Sequence, residues 1–205
     1  TQAAIEKLFT KTFIERALNI RTEIQVLTPM RRGPLGSIAL NQHLQQVINA
    51  EGHRLHRWSY TCQGEQVMSE FRLHDRVLQM KNNYDLNIFN GDIGYIMGGD
   101  DNHLHIQFGL QRINYPKDNA TELSLAYAMT IHKSQGSEFP SVVLICSTQH
   151  WIMLERNLIY TGLTRAKKLA FLVGSRRAIA QAAKTTKAQD RYALLRHRLQ
   201  QTTPL

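Results

Sequence analysis

The chain has 205 residues and a formal net charge of +9, from 25 lysines and arginines against 16 aspartates and glutamates. This excess favours a polyanionic partner, with nucleic acid first, while a basic protein without such a partner remains the alternative. No apolar run has the length of a membrane span, and Cys62 and Cys146 form neither a metal-ligand pair nor a disulfide framework, so membrane and disulfide-rich secreted classes are excluded and a cytoplasmic location is expected.

The first 52 residues predict a helix followed by a βα unit. Apolar residues at helical spacing indicate a helix over residues 2–19, and residues 23–28 form a short apolar strand that ends before Pro29. A basic loop rich in glycine and proline follows. Ser37 is expected to cap the next helix, which Gly52 ends. The chain opens without a methionine, so we expect it to be a piece of a longer protein.

The middle of the chain predicts short antiparallel strands. Residues 53–70 show a weak pattern, interpreted as a loop with at most one strand, and residues 71–80 resemble a strand. The Asn-Gly-Asp sequence at 90–92 is typical of a hairpin turn. Leu104, Ile106 and Phe108 then alternate with polar residues, as in a half-buried strand. We therefore expect a small inserted β-barrel over residues 92–121.

The α/β pattern resumes with a polar cluster at residues 130–138, directly before a buried strand at 141–146. Gly136 within the cluster suits a sharp turn that requires positive φ. A helix over 154–167, a strand over 169–173, a helix capped by Ser175 and a last helix from Asp190 complete the prediction. Open α/β sheets bind ligands at strand edges, so the polar cluster is the candidate site.

Four segments resemble, in order, the motifs of one family. Residues 126–139 (AYAMTIHKSQGSEF) resemble motif V of superfamily 1 helicases, in the form found in the RecD branch, which includes the alpha chain of exonuclease V and its stand-alone relatives. Residues 158–167 (LIYTGLTRAK) resemble motif VI, and residues 26–41 resemble the motif IV region. Residues 82–94 resemble the segment that leads into the SH3-like insertion of RecD-type proteins.

The resemblance implies a RecA-like α/β fold of the P-loop NTPase type, with a parallel sheet flanked by helices. Residues 1–91 and 122–205 would form the second helicase lobe, and residues 92–121 the SH3-like insertion. The sequence contains no Gly-x-x-x-x-Gly-Lys-Thr phosphate loop and no Walker B acidic pair. In the family these lie on the first lobe, so ATP with Mg²⁺ would be bound mainly there, with no metal ligands here. We expect this chain alone to be inactive.

The family assigns one group of residues to the nucleotide. Arg165 matches the motif VI arginine that reaches the γ-phosphate, a role worth ~10³–10⁵ in rate; a solvated helix arginine is the alternative. Glu138 and Gln135 are placed with it as catalytic residues. Gly136 would let the backbone approach the nucleotide, and Arg32 would contact phosphate, for which an exposed loop arginine is the alternative.

A second group is assigned to single-stranded DNA. Hydroxyl and imidazole groups would donate to phosphate oxygens, and Tyr84 would stack on a base. A buried histidine and ordinary loop chemistry are the alternatives for His132 and Asn83. The full predicted DNA-binding set is Thr28, Asn83, Tyr84, Thr130, His132, Lys133 and Ser134.

The implied function is ATP-driven 5′ to 3′ translocation along single-stranded DNA. Its partners would be the first RecA-like lobe and the nuclease and helicase subunits of an exonuclease V type complex. Two alternatives stay open: the helicase half of a conjugative relaxase, and a non-catalytic nucleic-acid-binding module.

Overall fold

The computed structural model describes residues 2–62 and 65–185, with side chains described outside residues 60–67. The predicted last helix from Asp190 lies outside the described residues. In chain order the helices and strands are α1 (Gln2–Lys7), a π-helical stretch (Leu8–Thr12), α2 (Phe13–Glu15), β1 (Ile24–Thr28), α3 (Ser37–Ile48), β2 (Arg54–Cys62), β3 (Glu65–Arg72), β4 (Arg76–Gln79), β5 (Ile93–Gly99), β6 (His103–Phe108), β7 (Gln111–Pro116), β8 (Leu123–Leu125), β9 (Ala128–Thr130), β10 (Phe139–Cys146), α4 (Arg156–Leu163), β11 (Ala166–Gly174) and α5 (Arg176–Lys184).

A four-stranded parallel sheet forms the centre of the fold, in the order β11-β10-β1-β9. All five residues of β1 are buried, as are seven of the eight in β10, because helices and loops cover both faces. The α/β fold class predicted from these apolar runs is confirmed.

A five-stranded antiparallel sheet, in the order β7-β6-β5-β4-β8, forms the second module. Leu104, Ile106 and Phe108 point into its core, as their alternation predicts. The sheet extends past the predicted 92–121 insertion on both sides, since β4 and β8 are paired strands of it.

The prediction of a loop with at most one strand over residues 53–70 is wrong. The segment is most of a long antiparallel hairpin, in which β2 pairs with β3. Trp58 packs on Phe71 across the pair with ring centroids 4.2 Å apart, and His56 stacks on Trp58. The strand expected over residues 71–80 is broken at His74, whose φ is +70°.

Several helices begin or end at other residues than predicted. The helix expected to reach residue 167 ends at Leu163, because β11 begins at Ala166, paired with Phe139. The first helical region ends at Glu15, not 19. Ser37 is the first residue of α3, with Gly36 as its cap, and α3 ends at a cap on Asn49 rather than at Gly52. The Ser175 cap is confirmed: its hydroxyl accepts from the Ala178 N–H at 3.1 Å.

A buried polar cluster joins the two modules. The Asp75 carboxylate is fully buried and accepts hydrogen bonds from the Asn49 amide at 2.7 Å, the Arg72 N–H at 2.7 Å, the Tyr127 hydroxyl at 2.8 Å and the Gln45 amide. Burial raises the pKa of Asp75 although these four donors favour the charged form. Tyr127 directly precedes β9, so this cluster connects the five-stranded antiparallel module to the start of the polar segment at residues 130–138.

Within the described part of the chain, no helix is long and apolar enough to cross a membrane.

Candidate nucleotide and nucleic-acid interfaces

The predicted site residues lie at the two opposite edges of the parallel sheet. Thr130 ends β9 at the carboxyl edge, and Phe139 begins β10 at the amino edge. The intervening segment, residues 131–138, is held by backbone bonds from Ile131 to the Thr28 carbonyl at 3.0 Å and from Ser137 to the Ser134 carbonyl at 3.0 Å. One short segment therefore connects the two edges.

Arg165 lies at the amino edge, between α4 and β11. Its guanidinium donates to the carbonyls of Thr161 and Ser137 and to the Thr164 hydroxyl, each at 3.2 Å. All three acceptors are neutral, and no carboxylate among residues 2–59 and 68–185 is paired with it. Its charge is therefore oriented but not neutralised, which fits an anionic group brought from outside.

Three other predicted nucleotide contacts lie in the segment that leads to this edge. Gln135 and Gly136 are exposed, and Gly136 has a φ of +83° with open space where a side chain would stand. The positive φ that the sequence predicts at this position is confirmed. Glu138 is exposed and pairs with Lys167 at 3.0 Å. The carboxylate that the family directs at the nucleotide is therefore already partnered by a neighbouring lysine.

Arg32 is separated from this group. It lies in the exposed loop that follows β1, and so at the carboxyl edge of the sheet. The structure does not bring it together with Arg165, and its predicted nucleotide contact is not supported by this placement.

Two of the predicted DNA contacts point inward. The Thr28 side chain is completely buried, and its hydroxyl donates to the Leu35 carbonyl at 2.7 Å. Ser134 is also completely buried, and its hydroxyl donates to the Ile131 carbonyl at 2.7 Å. Neither hydroxyl reaches the surface in this structure, so phosphate contacts from these two side chains are not supported. Their bonds stabilise the turns that present neighbouring residues.

The outward residues of this edge are Thr130, His132 and Lys133. His132 and Lys133 are exposed, and the Thr130 hydroxyl accepts from the Lys133 N–H at 3.4 Å. Partial burial, and then the charge of Arg31, lower the pKa of Lys133. Two cations held close together in this way favour the binding of an anion between them.

The loop that carries Tyr84 adjoins these cations. The Lys133 ammonium lies 2.9 Å from the sulfur of Met80, at the start of this loop. Tyr84 is 76% exposed and makes an edge contact with the exposed ring of Phe89 at 6.2 Å. Asn83 closes the turn instead of facing solvent fully, since its side-chain oxygen accepts from the Leu86 N–H at 3.1 Å.

Sequence reasoning missed Phe89 and Met80. Phe89 precedes a predicted turn. Its aromatic side chain, close in sequence to Tyr84, could have identified it as a second stacking residue. The contact of Met80 with Lys133 spans 53 positions and has no local signature. His103 and His105 both lie against Asp100, at 3.4 and 3.1 Å. No group of three potential metal ligands occurs in the described ranges.

Two protein families match the sequence. Residues 125–173, which hold both edges of the site, match the UvrD-like helicase C-terminal domain, and residues 40–108 match the SH3 domain of ATP-dependent RecD-like DNA helicases. The chain belongs to the RecD-like helicases of superfamily 1. The RecD-like SH3 match begins well before residue 92, while the predicted division of the chain into domains stays a prediction.

Named relatives agree with this assignment. The ATP-dependent RecD2 DNA helicase of Deinococcus radiodurans is 38% identical over 174 residues, which cover 84% of this chain and 23% of that protein. The RecBCD enzyme subunit RecD of Mycobacterium tuberculosis (strain H37Rv) is 30% identical over 91% of this chain and 30% of that protein. The chain thus spans about a quarter of the length of these relatives.

Solved helicase structures share the fold. Bacteroides Pif1 bound to single-stranded DNA superposes with a TM-score of 0.55 over 86% of this chain and 45% of that chain, at 16% identity. A structure of two coordinating Pif1 helicases at forked DNA gives the same TM-score over 95% of this chain and 47% of that one, also at 16% identity. The RecA-like architecture with its SH3-like module, expected from the motifs, is confirmed.

Proposed function

We propose that this chain works as the second motor lobe of an ATP-dependent helicase that moves 5′ to 3′ along single-stranded DNA, its site completed by a first lobe that carries the phosphate loop and binds Mg²⁺. The observation that carries the proposal is the division of the site. A cation held by neutral acceptors lies at one edge of the sheet, exposed cations and aromatics lie at the other, and residues 131–138 join them.

The amino edge fits the nucleotide. Arg165 is oriented by the carbonyls of Thr161 and Ser137 and keeps its full charge for an incoming phosphate. Gly136 leaves the neighbouring backbone open to close approach. ATP, when bound between the lobes, supplies the free energy of phosphoryl transfer. Arg165 would stabilise the charge that develops in that reaction and so favour closure of the lobes.

The carboxyl edge fits a single strand. His132, Lys133 and Thr130 offer donors to phosphate, and Tyr84 offers an exposed ring to a base. Ser137 contacts Arg165 at one end of the connecting segment and Thr28 holds Ile131 at the other, so a displacement at one edge would be transmitted to the other through this segment. Alternate closing and opening would then shift the grip along DNA.

The relatives named RecD are described as subunits of the RecBCD enzyme. Assembly of this chain's protein with nuclease and helicase subunits of that kind is part of the proposal.

The test is ATP hydrolysis by a polypeptide that holds both lobes, with and without oligothymidylate, beside an Arg165→Ala variant. Loss of Arg165 should lower the DNA-stimulated rate by ~10³–10⁵ while DNA binding persists. Arg156→Ala is the matched control, since Arg156 begins α4, the helix that precedes Arg165, and donates to the Ala183 carbonyl at 3.1 Å. A variant as fast as its parent, or no stimulation by DNA, would refute the proposal.

A further inference from the structure

Another exposed aromatic residue lies on the carboxyl edge, at the end away from Tyr84 and Phe89. β10 ends at Cys146, and the short 3-10 helix Thr148–Met153 that follows it carries Trp151. β11 ends beside it, and the Ser175 N–H donates to the Cys146 carbonyl at 3.1 Å. β11 and β9 are the two outer strands of the sheet, roughly 14 Å apart by strand spacing, so the turn that carries Trp151 and the segment that carries Lys133 lie toward opposite ends of this edge.

Trp151 is held in place rather than loosely exposed. The Arg177 guanidinium lies over its ring at 5.5 Å from the centroid, and the side chain keeps 40% exposure. The turn beneath it is anchored because Leu154 is buried against Ala178 and Ala182 of α5. A ring fixed in this way loses little conformational entropy when a ligand stacks on it.

The charge around Trp151 matches that of the first interface. Residues 147–154 and 174–184 contain Arg176, Arg177 and Lys184 and no aspartate or glutamate, and one acidic residue, Glu155, directly follows the first range. Arg176 and Arg177 are exposed. An exposed aromatic ring among cations is the arrangement that binds single strands without sequence preference, through base stacking and phosphate attraction.

We propose that Trp151, held by Arg177, is a second base-stacking point for single-stranded DNA, so that the strand runs along the whole carboxyl edge from Tyr84 to Trp151. This inference rests on the proposed DNA-binding function of that edge. The motif residues alone place the DNA path at the ends of β9 and β1. This inference extends the path to the turn after β10 and the start of α5.

The chain has two tryptophans, so fluorescence can address Trp151 directly. In a Trp58→Phe variant Trp151 is the remaining tryptophan, and Phe keeps an aromatic ring against Phe71. Titration of this 205-residue chain with oligothymidylates of increasing length should quench the emission. The quenching should follow the binding curve from anisotropy and begin only with strands long enough to span the edge.

Substitution supplies the second readout. Trp151→Ala should weaken DNA binding by roughly 5- to 150-fold, and Trp151→Phe should restore most of it because a ring is retained. In Trp151→Phe, where Trp58 is the reporter, emission should stay constant on DNA addition. Binding seen by anisotropy with no quenching of Trp151, or with Trp151→Ala as tight as the parent, overturns this inference alone. No binding by the parent chain overturns the proposed DNA interface as well.

Discussion

The two edges of the parallel sheet use their polar residues differently. At the amino edge the charged group, Arg165, is held by backbone carbonyls and directed outward. At the carboxyl edge the hydroxyls of Thr28 and Ser134 are bonded inside the protein, and the outward contacts come from His132 and Lys133. A motif therefore combines residues that contact a ligand with residues that build the turn, and residue type alone does not separate the two roles.

The largest expected effect comes from the cluster that fixes the carboxyl edge to the barrel. Asp75→Ala leaves four buried donors without their acceptor, including the Tyr127 hydroxyl just before β9, and should lower the free energy of unfolding by about 3–5 kcal/mol. Urea unfolding measures this. Asp101→Ala, at an exposed position in a barrel turn, is the control and should change it little. Equal stability of the two variants would show that the cluster does not join the modules.

A smaller effect is expected where the two edges are connected. Gly136→Ala places a side chain at a φ of +83° with no steric obstacle, so strain alone should reduce stability by about 1–2 kcal/mol. Gly109→Ala is matched to it, with a φ of +53° and open space in a barrel turn. Both should lose similar stability in thermal unfolding. Only Gly136→Ala should also lower DNA-stimulated ATP hydrolysis, and a parallel loss in both variants would argue against a connecting role for the segment.

The smallest expected effect is on DNA affinity, and it distinguishes an exposed residue of the carboxyl edge, Lys133, from a buried one, Thr28. Lys133→Ala should weaken single-strand binding a few-fold and reduce the slope of log affinity against log salt by about 1, since one phosphate contact is lost. Thr28→Val should leave that slope unchanged, because its hydroxyl is bonded to the Leu35 carbonyl. Anisotropy titrations at several salt concentrations give both values. A changed slope for Thr28→Val would mean that this hydroxyl turns outward when DNA binds.

The central sheet could be predicted because β1 and β10 are continuous apolar runs, and burial on both faces requires such runs. The hairpin of β2 and β3 could not, since arginines and histidines interrupt the alternation of β2 and its stability comes from a partner strand.

The candidate site was predictable in residue type and not in orientation. The motifs identified Arg165 and the segment of Lys133, but the inward turn of Thr28 depends on a carbonyl seven positions away. Asp75 was not found at all. Its partners Gln45 and Tyr127 lie 30 and 52 positions distant, beyond any local pattern.

Gly162 on α4 determines how closely this helix packs on the sheet, and so where Arg165 lies. A Cβ there would lie 2.7 Å from the Leu144 side chain of β10, in a core where that leucine is fully enclosed. The backbone of α4 therefore packs directly against the Leu144 side chain of β10. Any larger residue at 162 would push α4 away from β10 and displace the Thr161 carbonyl, and with it the Arg165 guanidinium that donates to that carbonyl.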